Sequence, residues 1–232
     1  MADNENAPLH TESPSAAPPD EPIREAVAFV GETLAPLFLE DPAKGSAGAS
    51  YAAFASLDAS AAANDWPFAD AATVCEALSL MRGCLRESGG APDDDLVWEY
   101  RRLFVGPEKK AAPPWGSVYT DRDCVIFGES ALALSRWMRA HGIARLTADD
   151  NMPDDHIGLM LALMAWIARE KPELLAEYLR EHLLTWSGHF LEELEEATAH
   201  PFFRGLARLT AASLEGIRET LAIEVTYPRF YR

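Results

Sequence analysis

The sequence predicts an all-α fold, a single-domain bundle of about nine to eleven helices. Apolar side chains recur at steps of three and four residues along most of the chain, which is the spacing of one helix face. Segments rich in proline and glycine separate these runs, as short connections do. The segments with β tendency, around Val118, Val125–Phe127 and the final ten residues, are too few and too isolated to form a sheet.

Length and composition favour one domain. The chain has 232 residues, of which 48% are hydrophobic, enough to bury a substantial core. We expect residues 21–232 to form this domain. Residues 1–20 contain neither a basic region nor an apolar run, so we expect a disordered acidic tail rather than a signal peptide or anchor.

The charge balance limits the classes of partner. The chain has 37 acidic and 20 basic side chains and a net charge of -17, which repels nucleic acid and anionic membranes and attracts basic partners. Alternatively, the charge serves only solubility. Cys75, Cys84 and Cys124 form no CxxC pair, and this pattern suits a reducing compartment. The longest apolar run, Ile157–Ala168, is shorter than the roughly 20 residues of a membrane span, so we expect a soluble protein.

Four helices are predicted in the first half of the chain. Pro36 is expected to end or kink the first, and the second is short. The third follows the Trp66-Pro67 turn, and the fourth lies between the break at 88–95 and Gly106-Pro107. The apolar residues that define the four faces are Ile23, Val27, Val30, Leu34, Leu37; Tyr51, Phe54, Leu57; Val74, Leu78, Met81, Leu85; and Leu96, Tyr100, Leu103, Phe104.

Five further helices are predicted in the second half. Ser130 is a candidate N-cap and Gly142 a candidate stop for the fifth helix. The sixth opens near Pro153 and is apolar almost all round through Trp166, so we expect it to be the central, buried helix. The seventh begins at Pro172, and two more follow. The residues that mark the seventh to ninth helices are Leu175, Tyr178, Leu179, His182; Trp186, Phe190, Leu194; and Phe203, Leu206, Ile217, Leu221.

The segment Ala112–Tyr119 interrupts the helical pattern. Pro113 and Pro114 lack the backbone donor and hold their predecessors extended, so we expect a loop without helix. Trp115 and Tyr119 lie in this loop, which is a candidate wall of an apolar cleft with charges at its mouth. The segments that flank the loop contribute Leu103, Phe104, Asp154, Asp155 and His156.

Motifs that carry catalysis are missing from the sequence. We find no phosphate-binding loop, GxGxxG, HExxH, CxxC or GxSxG pattern, and we therefore expect no enzyme activity, cofactor or metal. His182 and His189 could share a metal only if one helix spanned both. A nucleotide-dependent or hydrolytic protein that uses His156 and nearby carboxylates is the alternative.

Several of these residues also have a purely structural interpretation. Asp154 or Asp155 would cap the sixth helix, and His156 would fill its first turn. Phe104 and Leu103 would be core residues, and for Trp115 a core role and a site role are equally compatible with the sequence.

Taken together, the segments YRRLFVGP, APPWGSVY, DRDCVIFGES, LSRWMRAHGI and PDDHIGLMLALMAW resemble the TorD/DmsD/NarJ family of redox enzyme maturation chaperones, and DmsD-like members in particular. A looser likeness extends from the first helix to YPRFYR. The resemblance implies a cytoplasmic, non-enzymatic protein. Such a protein binds the twin-arginine signal peptide of a molybdoenzyme catalytic subunit, similar to that of dimethyl sulfoxide reductase, and delays export until folding and cofactor insertion are complete.

The resemblance also implies where the peptide binds and what else the protein contacts. Contacts with the export or cofactor-insertion machinery are compatible with it, as are a monomer, which we expect, and a domain-swapped dimer. Similar members often have tryptophan at the positions of Tyr100 and Tyr119. The implied peptide-binding residues are Tyr100, Leu103, Phe104, Pro113, Pro114, Trp115, Tyr119, Asp155 and His156.

Overall fold

The computed structural model describes residues 18–106, 110–147, 149 and 151–232. The expected acidic tail lies outside these residues except for positions 18–20. The described part of the chain contains eleven α-helices and no strand, which confirms the all-α prediction. None of its helices combines the length and the apolar character that a membrane crossing requires.

The helices occur where the apolar periodicity places them, with two short additions. The helices before the proline-rich segment are α1 (Glu21–Leu39), α2 (Gly48–Ser56), α3 (Ala59–Asp65), α4 (Ala71–Glu87) and α5 (Asp94–Tyr100). Those after it are α6 (Gly116–Thr120), α7 (Glu129–Ala140), α8 (Ile157–Glu170), α9 (Leu175–Tyr178), α10 (Ser187–Ala197) and α11 (Pro201–Thr220). The π-helical turns Arg101–Val105 and Leu179–Leu183 extend α5 and α9, and a 3₁₀ turn, Pro172–Leu174, precedes α9.

Aspartates begin three of the early helices. The carboxylates of Asp58, Asp70 and Asp93 accept hydrogen bonds from backbone N–H groups in the first turns of α3, α4 and α5. These bonds satisfy donors that have no partner within the helix. The predicted stop at Gly142 is also present, with a φ of 65° that favours glycine.

Three details of the helix predictions need correction. Of the two outcomes expected for Pro36, an end of α1 or a kink in it, the first is not observed. The helix continues to Leu39, because a proline near the last turn removes one hydrogen bond only. Ser130 lies inside α7. The cap comes from elsewhere, since the Asp121 carboxylate accepts a hydrogen bond from the N–H of Glu129, the first residue of α7.

The third error concerns residues 112–119, which are not all loop. The two prolines constrain only the residues before them. Trp115 is still extended, with φ -120° and ψ 131°, but the chain turns into α6 immediately afterwards, at Gly116. The short helix α3 was also not predicted.

Two helix pairs form the most extensive contacts, α1 with α8 and α4 with α11. As predicted, α8 is largely buried, from Ile157 through Ala168. Gly31 lets α1 approach α8 closely, because a Cβ atom at this position would lie 2.4 Å from the carbonyl oxygen of Leu161 and 2.9 Å from Cβ of Ala165. The pairing of α1 and α8 therefore depends on the missing side chain of Gly31.

This close approach predicts opposite effects for two helix-interior glycines. Alanine favours a helix over glycine by about 1 kcal/mol, and Gly83 of α4 has no atom within 4 Å of an added Cβ. Gly83→Ala should therefore raise the free energy of unfolding by about 0.5–1 kcal/mol. Gly31→Ala should lower it by about 1–3 kcal/mol, since the backbone of α8 must move. Urea unfolding followed by circular dichroism measures both, and equal effects would contradict the packing described.

Candidate functional site

The dipeptide Asp155-His156 caps two different helices. Nδ1 of His156 accepts a hydrogen bond of 3.1 Å from the N–H of Gly158 and so caps α8. Oδ2 of Asp155 accepts one of 2.7 Å from the N–H of Ser117, in the first turn of α6. The expectation that an aspartate caps α8 is therefore wrong. The two side chains join the N-termini of helices whose residues lie about forty positions apart.

Backbone contacts strengthen this junction. The N–H of Ile157 donates to the carbonyl of Pro114 at 2.8 Å, and the N–H of Gly116 donates to that of Asp155 at 3.2 Å. Trp115 and His156 form an isolated antiparallel bridge, and their rings meet edge to face at 5.7 Å. The prolines keep their predecessors extended, and this allows the segment to pair with residues 155–157.

Burial changes the acid–base behaviour of both side chains. Asp155 is 2% and His156 4% exposed. Burial raises the pKa of Asp155 to about 6, although the hydrogen bond from the Ser117 N–H opposes the shift. Burial lowers the pKa of His156 to about 3. At neutral pH, His156 is therefore uncharged, as its acceptor role requires, and Asp155 is mostly ionised.

Three buried polar atoms at this junction have no hydrogen-bond partner among the described residues. They are Oδ1 of Asp155, Oγ of Ser117 and Nε1 of Trp115. Leaving a buried polar group unpaired costs about 1–3 kcal/mol, and more for a charged one. The junction thus retains capacity to accept and to donate hydrogen bonds.

Asp154 has a different environment from Asp155. Its two carboxylate oxygens accept hydrogen bonds from Oγ of Ser135 at 2.7 Å and from Nε of Arg145 at 2.8 Å. Like its neighbours, Asp154 is buried. Asp154 and Asp155 therefore lie beneath the surface, although Asp154 borders a cavity that Arg145 also lines.

The other predicted site residues form an aromatic layer below the junction. Tyr119 donates from its hydroxyl to the Pro113 carbonyl at 2.8 Å and stacks on Trp186. Tyr100 donates to the Phe38 carbonyl at 3.0 Å and packs against Phe104. The rings of Phe38 and Phe190 connect these two groups.

Of the nine predicted site residues, Trp115 is partly exposed and the other eight are buried. The structure brings Pro113, Pro114, Trp115, Tyr119, Asp155 and His156 together around the junction. Tyr100, Leu103 and Phe104 lie in the adjoining core and do not line the cavity beside Trp115.

That cavity, of about 480 Å³, opens beside Trp115. Nζ of Lys110 lies 5.2 Å from the Trp115 ring centroid, a cation–π arrangement. Most of the lining residues are not among the residues predicted from the sequence. The available signal was that the apolar VIF run and the terminal YPRFYR segment lack a helical pattern. The cavity is lined by Lys110, Pro113, Trp115, Val118, Cys124, Ile126, Tyr231 and Arg232.

An exposed apolar ridge, Val125–Phe127, borders the cavity. Its three side chains are 44–46% exposed. Ile126 lines the cavity beside Trp115, and Phe127 lines a second one, of about 410 Å³, near Asp154. Cys124 and Phe127 adopt positive φ values of 50° and 62°, which cost about 1–3 kcal/mol each and concentrate at functional sites. The backbone is thus strained where it presents the ridge to solvent.

Nothing in the described residues supports the metal or hydrolytic alternatives. No group of three or more His, Cys, Asp or Glu side chains there could hold a metal ion. His182 and His189 lie in different elements, the π-helical turn after α9 and α10. The low pKa of His156 and the use of its Nδ1 as a cap make it a poor general base near neutral pH.

The opposite pKa shifts of Asp155 and His156 predict opposite pH dependences. Asp155, with a raised pKa, contributes stability below about pH 3.8 that is lost as pH rises through about 6. His156, with a lowered pKa, contributes stability above about pH 6.5 that is lost as pH falls through about 3. Asparagine can replace either cap. As the pH falls from 6.5 to 4, the free energy of unfolding of His156→Asn should therefore rise relative to that of the unmodified chain.

Asp155→Asn is the matched variant. Its free energy of unfolding should fall relative to that of the unmodified chain over the same pH decrease, because the variant lacks the stabilisation that Asp155 gains on protonation. Urea unfolding at several pH values measures both. If the difference in the free energy of unfolding between each variant and the unmodified chain stays constant with pH, the burial of these groups is contradicted.

Comparison with known proteins defines the family. Residues 69–192 match the family model described as nitrate reductase delta subunit. The chain is 49% identical over 138 residues to a probable Tat proofreading chaperone DmsD of Haemophilus influenzae, covering 60% of this chain and 68% of that protein. It is 35% identical over 168 residues to the Tat proofreading chaperone DmsD of Salmonella typhimurium, covering 72% and 78%.

A more distant match is the chaperone protein TorD of Vibrio cholerae, 26% identical over 133 residues, which covers 52% of this chain and 60% of that protein. These relatives are named as chaperones, not as enzymes. The chain therefore belongs to the TorD/DmsD/NarJ family of redox enzyme maturation chaperones, as a DmsD-like, non-enzymatic member.

Proposed function

We propose that this protein binds the twin-arginine signal peptide of a molybdoenzyme catalytic subunit, similar to that of dimethyl sulfoxide reductase. It would hold this leader in the cytoplasm and delay export until folding and cofactor insertion are complete. Relatives named Tat proofreading chaperones support the proposal. The observation that carries it is an exposed apolar surface, Trp115 and the ridge Val125–Phe127, beside a buried carboxylate that has an unpaired oxygen.

The apolar surface suits the apolar stretch of a leader. Exposed apolar patches on a folded protein mark interaction sites. Here the ridge, the partly exposed Trp115 ring and the cavity between them offer adjacent apolar surface and space for inserted side chains. Tryptophan in such a position frequently dominates binding energy.

The carboxylate suits a leader arginine. Asp155 is ionised at neutral pH because its pKa, about 6, lies below 7, and its Oδ1 has no partner among the described residues. Lys110 already places a cation against the Trp115 ring. A guanidinium group that displaces Lys110 would replace one cation–π contact with another, and pairing with Oδ1 of Asp155 would add a charge contact.

The remaining proposed residues would act by holding the loop in shape. Tyr119 anchors Pro113 through its hydroxyl, and His156 caps the helix that follows Asp155. Tyr100, Leu103 and Phe104 support the same layer from the core.

The overall charge would assist encounter. A net charge of -17 attracts a basic leader from a distance and makes its association faster at low salt. Affinity would remain moderate, because the free leader is disordered and must become ordered on binding.

Isothermal titration calorimetry tests the proposal. The purified protein is titrated with a synthetic leader from a dimethyl sulfoxide reductase catalytic subunit, and separately with the same leader carrying two alanines in place of its arginines. We expect dissociation constants in the micromolar range or tighter for the first peptide, and binding at least tenfold weaker for the second. Failure of several such leaders to bind would overturn the proposal.

Two substitutions then locate the site. Trp115→Ala should weaken leader binding by at least about thirtyfold, as expected when a central tryptophan is removed. Asp155→Asn keeps the acceptor for the Ser117 N–H and removes the charge, so it should weaken binding by about ten- to a hundredfold. Trp98→Ala is the control, because Trp98 is 64% exposed on α5 and does not line the cavity. Equal effects at Trp98 and Trp115 would contradict the assignment.

A further inference from the structure

Residues 224–232, which we call the strap, follow α11 and return to the proposed site without helix or strand. The N–H of Tyr231 donates to the carbonyl of Tyr119 at 2.9 Å. The ring of Phe230 stacks on His189 at 4.3 Å, and Tyr231 and Arg232 form one wall of the cavity beside Trp115. The strap therefore lies directly against the proposed leader-binding surface.

Arg232 is held by a set of groups that suits a guanidinium ion. Its Nε lies 3.1 Å from a carboxylate oxygen of Glu193. Its Nη2 donates to the carbonyls of Lys110 at 3.2 Å and Ala111 at 2.9 Å. We call these three acceptors the arginine cradle. The cradle joins α10 to the segment that immediately precedes Pro113.

The contacts of the strap are concentrated in its last three residues, where Nε2 of His189 also lies 2.6 Å from the Arg232 carbonyl oxygen, and most of its other residues are exposed. Glu224, Thr226–Arg229 and Tyr231 are exposed. Among the described residues, the strap makes a single hydrogen bond between backbone groups, that of Tyr231. Segments with exposed backbone and few buried contacts open at low free energy. The arginine cradle can thus be vacated without unfolding the helical domain.

The strap has chemical features in common with the proposed ligand. It is non-helical, it carries two arginines, Arg229 and Arg232, and aromatic rings lie between and beside them. The arginine cradle adds a carboxylate, Glu193, to the unpaired oxygen of Asp155. Both acceptors contact the same segment of the chain, the cradle through the carbonyls of Lys110 and Ala111 and Asp155 through the N–H of Ser117, and two acceptors match in number the two guanidinium groups of a twin-arginine peptide.

We propose, resting on the leader-binding function above, that the strap is an internal competitor and that the arginine cradle is a binding site for one of the leader's two arginines. Arg232 occupies the cradle in the free protein, and the leader displaces it. An occupied site lowers the apparent affinity by the fraction of molecules in which it is open. The strap would therefore raise the leader concentration that binding requires.

The first test removes the competitor. Arg232→Ala should tighten leader binding about three- to tenfold in calorimetry, because the open fraction increases. Arg229→Ala is the matched control. It removes the same charge from the same strap, but Arg229 packs on the Tyr231 ring and donates to no acceptor of the cradle. Arg232→Lys, which keeps the charge and loses the guanidinium fork, should also tighten binding. Equal affinities of the two alanine variants, or weaker binding by Arg232→Ala, would overturn the inference.

The second test asks whether the leader uses the cradle. In the Arg232→Ala background, Glu193→Gln should weaken leader binding by about tenfold or more, since a charge-assisted hydrogen bond is lost. Glu192→Gln, the neighbouring exposed carboxylate, should change it less than twofold. Equal effects of the two substitutions would show that the cradle serves the strap alone. If the unmodified chain binds the leader but neither set of substitutions changes its affinity, this inference is overturned and the proposed function stands. If the unmodified chain binds no leader, both are overturned.

Discussion

The structure around the site depends on one constraint, the capping of two helices by adjacent residues. His156 caps α8, the central helix, while Asp155 caps α6 through Ser117. Because adjacent side chains point in different directions, a single dipeptide can join two helix N-termini. The extended backbone at Pro114 and Trp115 then pairs with residues 155–157. The position of the Trp115 ring follows from this junction, and so does the cavity beside it.

The helical scaffold makes the junction rigid. Gly31 brings α1 and α8 into close contact, and the aromatic rings from Tyr119 through Phe190 and Phe38 to Phe104 form a continuous layer beneath the loop. The strained positions at Cys124 and Phe127 lie at the surface, where such conformations persist only on a well-determined framework. A buried aromatic layer beneath an exposed apolar ridge is suited to binding a flexible ligand.

Much of the fold could be predicted from the sequence, because apolar periodicity marks the buried faces of α1 and α4, and α8 is apolar almost all round, as a central buried helix is. The hydrogen bond from Ser117 to Asp155 could not, since it joins residues 38 positions apart and local propensity does not report such contacts. The same applies to the strap, whose packing on Tyr119 and Glu193 has no periodic signal. For the site, the sequence identified Trp115 and Asp155 as candidates but placed the carboxylate at a cleft mouth, whereas it is buried.

Hydrogen–deuterium exchange on the unmodified protein, with and without a twin-arginine leader, tests the central claim most directly. If the leader binds over Trp115 and the ridge, amide exchange should slow in residues 110–119 and 124–127, while the distant contact between α4 and α11 stays unchanged. Slower exchange confined to α4 and α11, or to the exposed face of α5 around Trp98, would place the leader elsewhere and contradict the account.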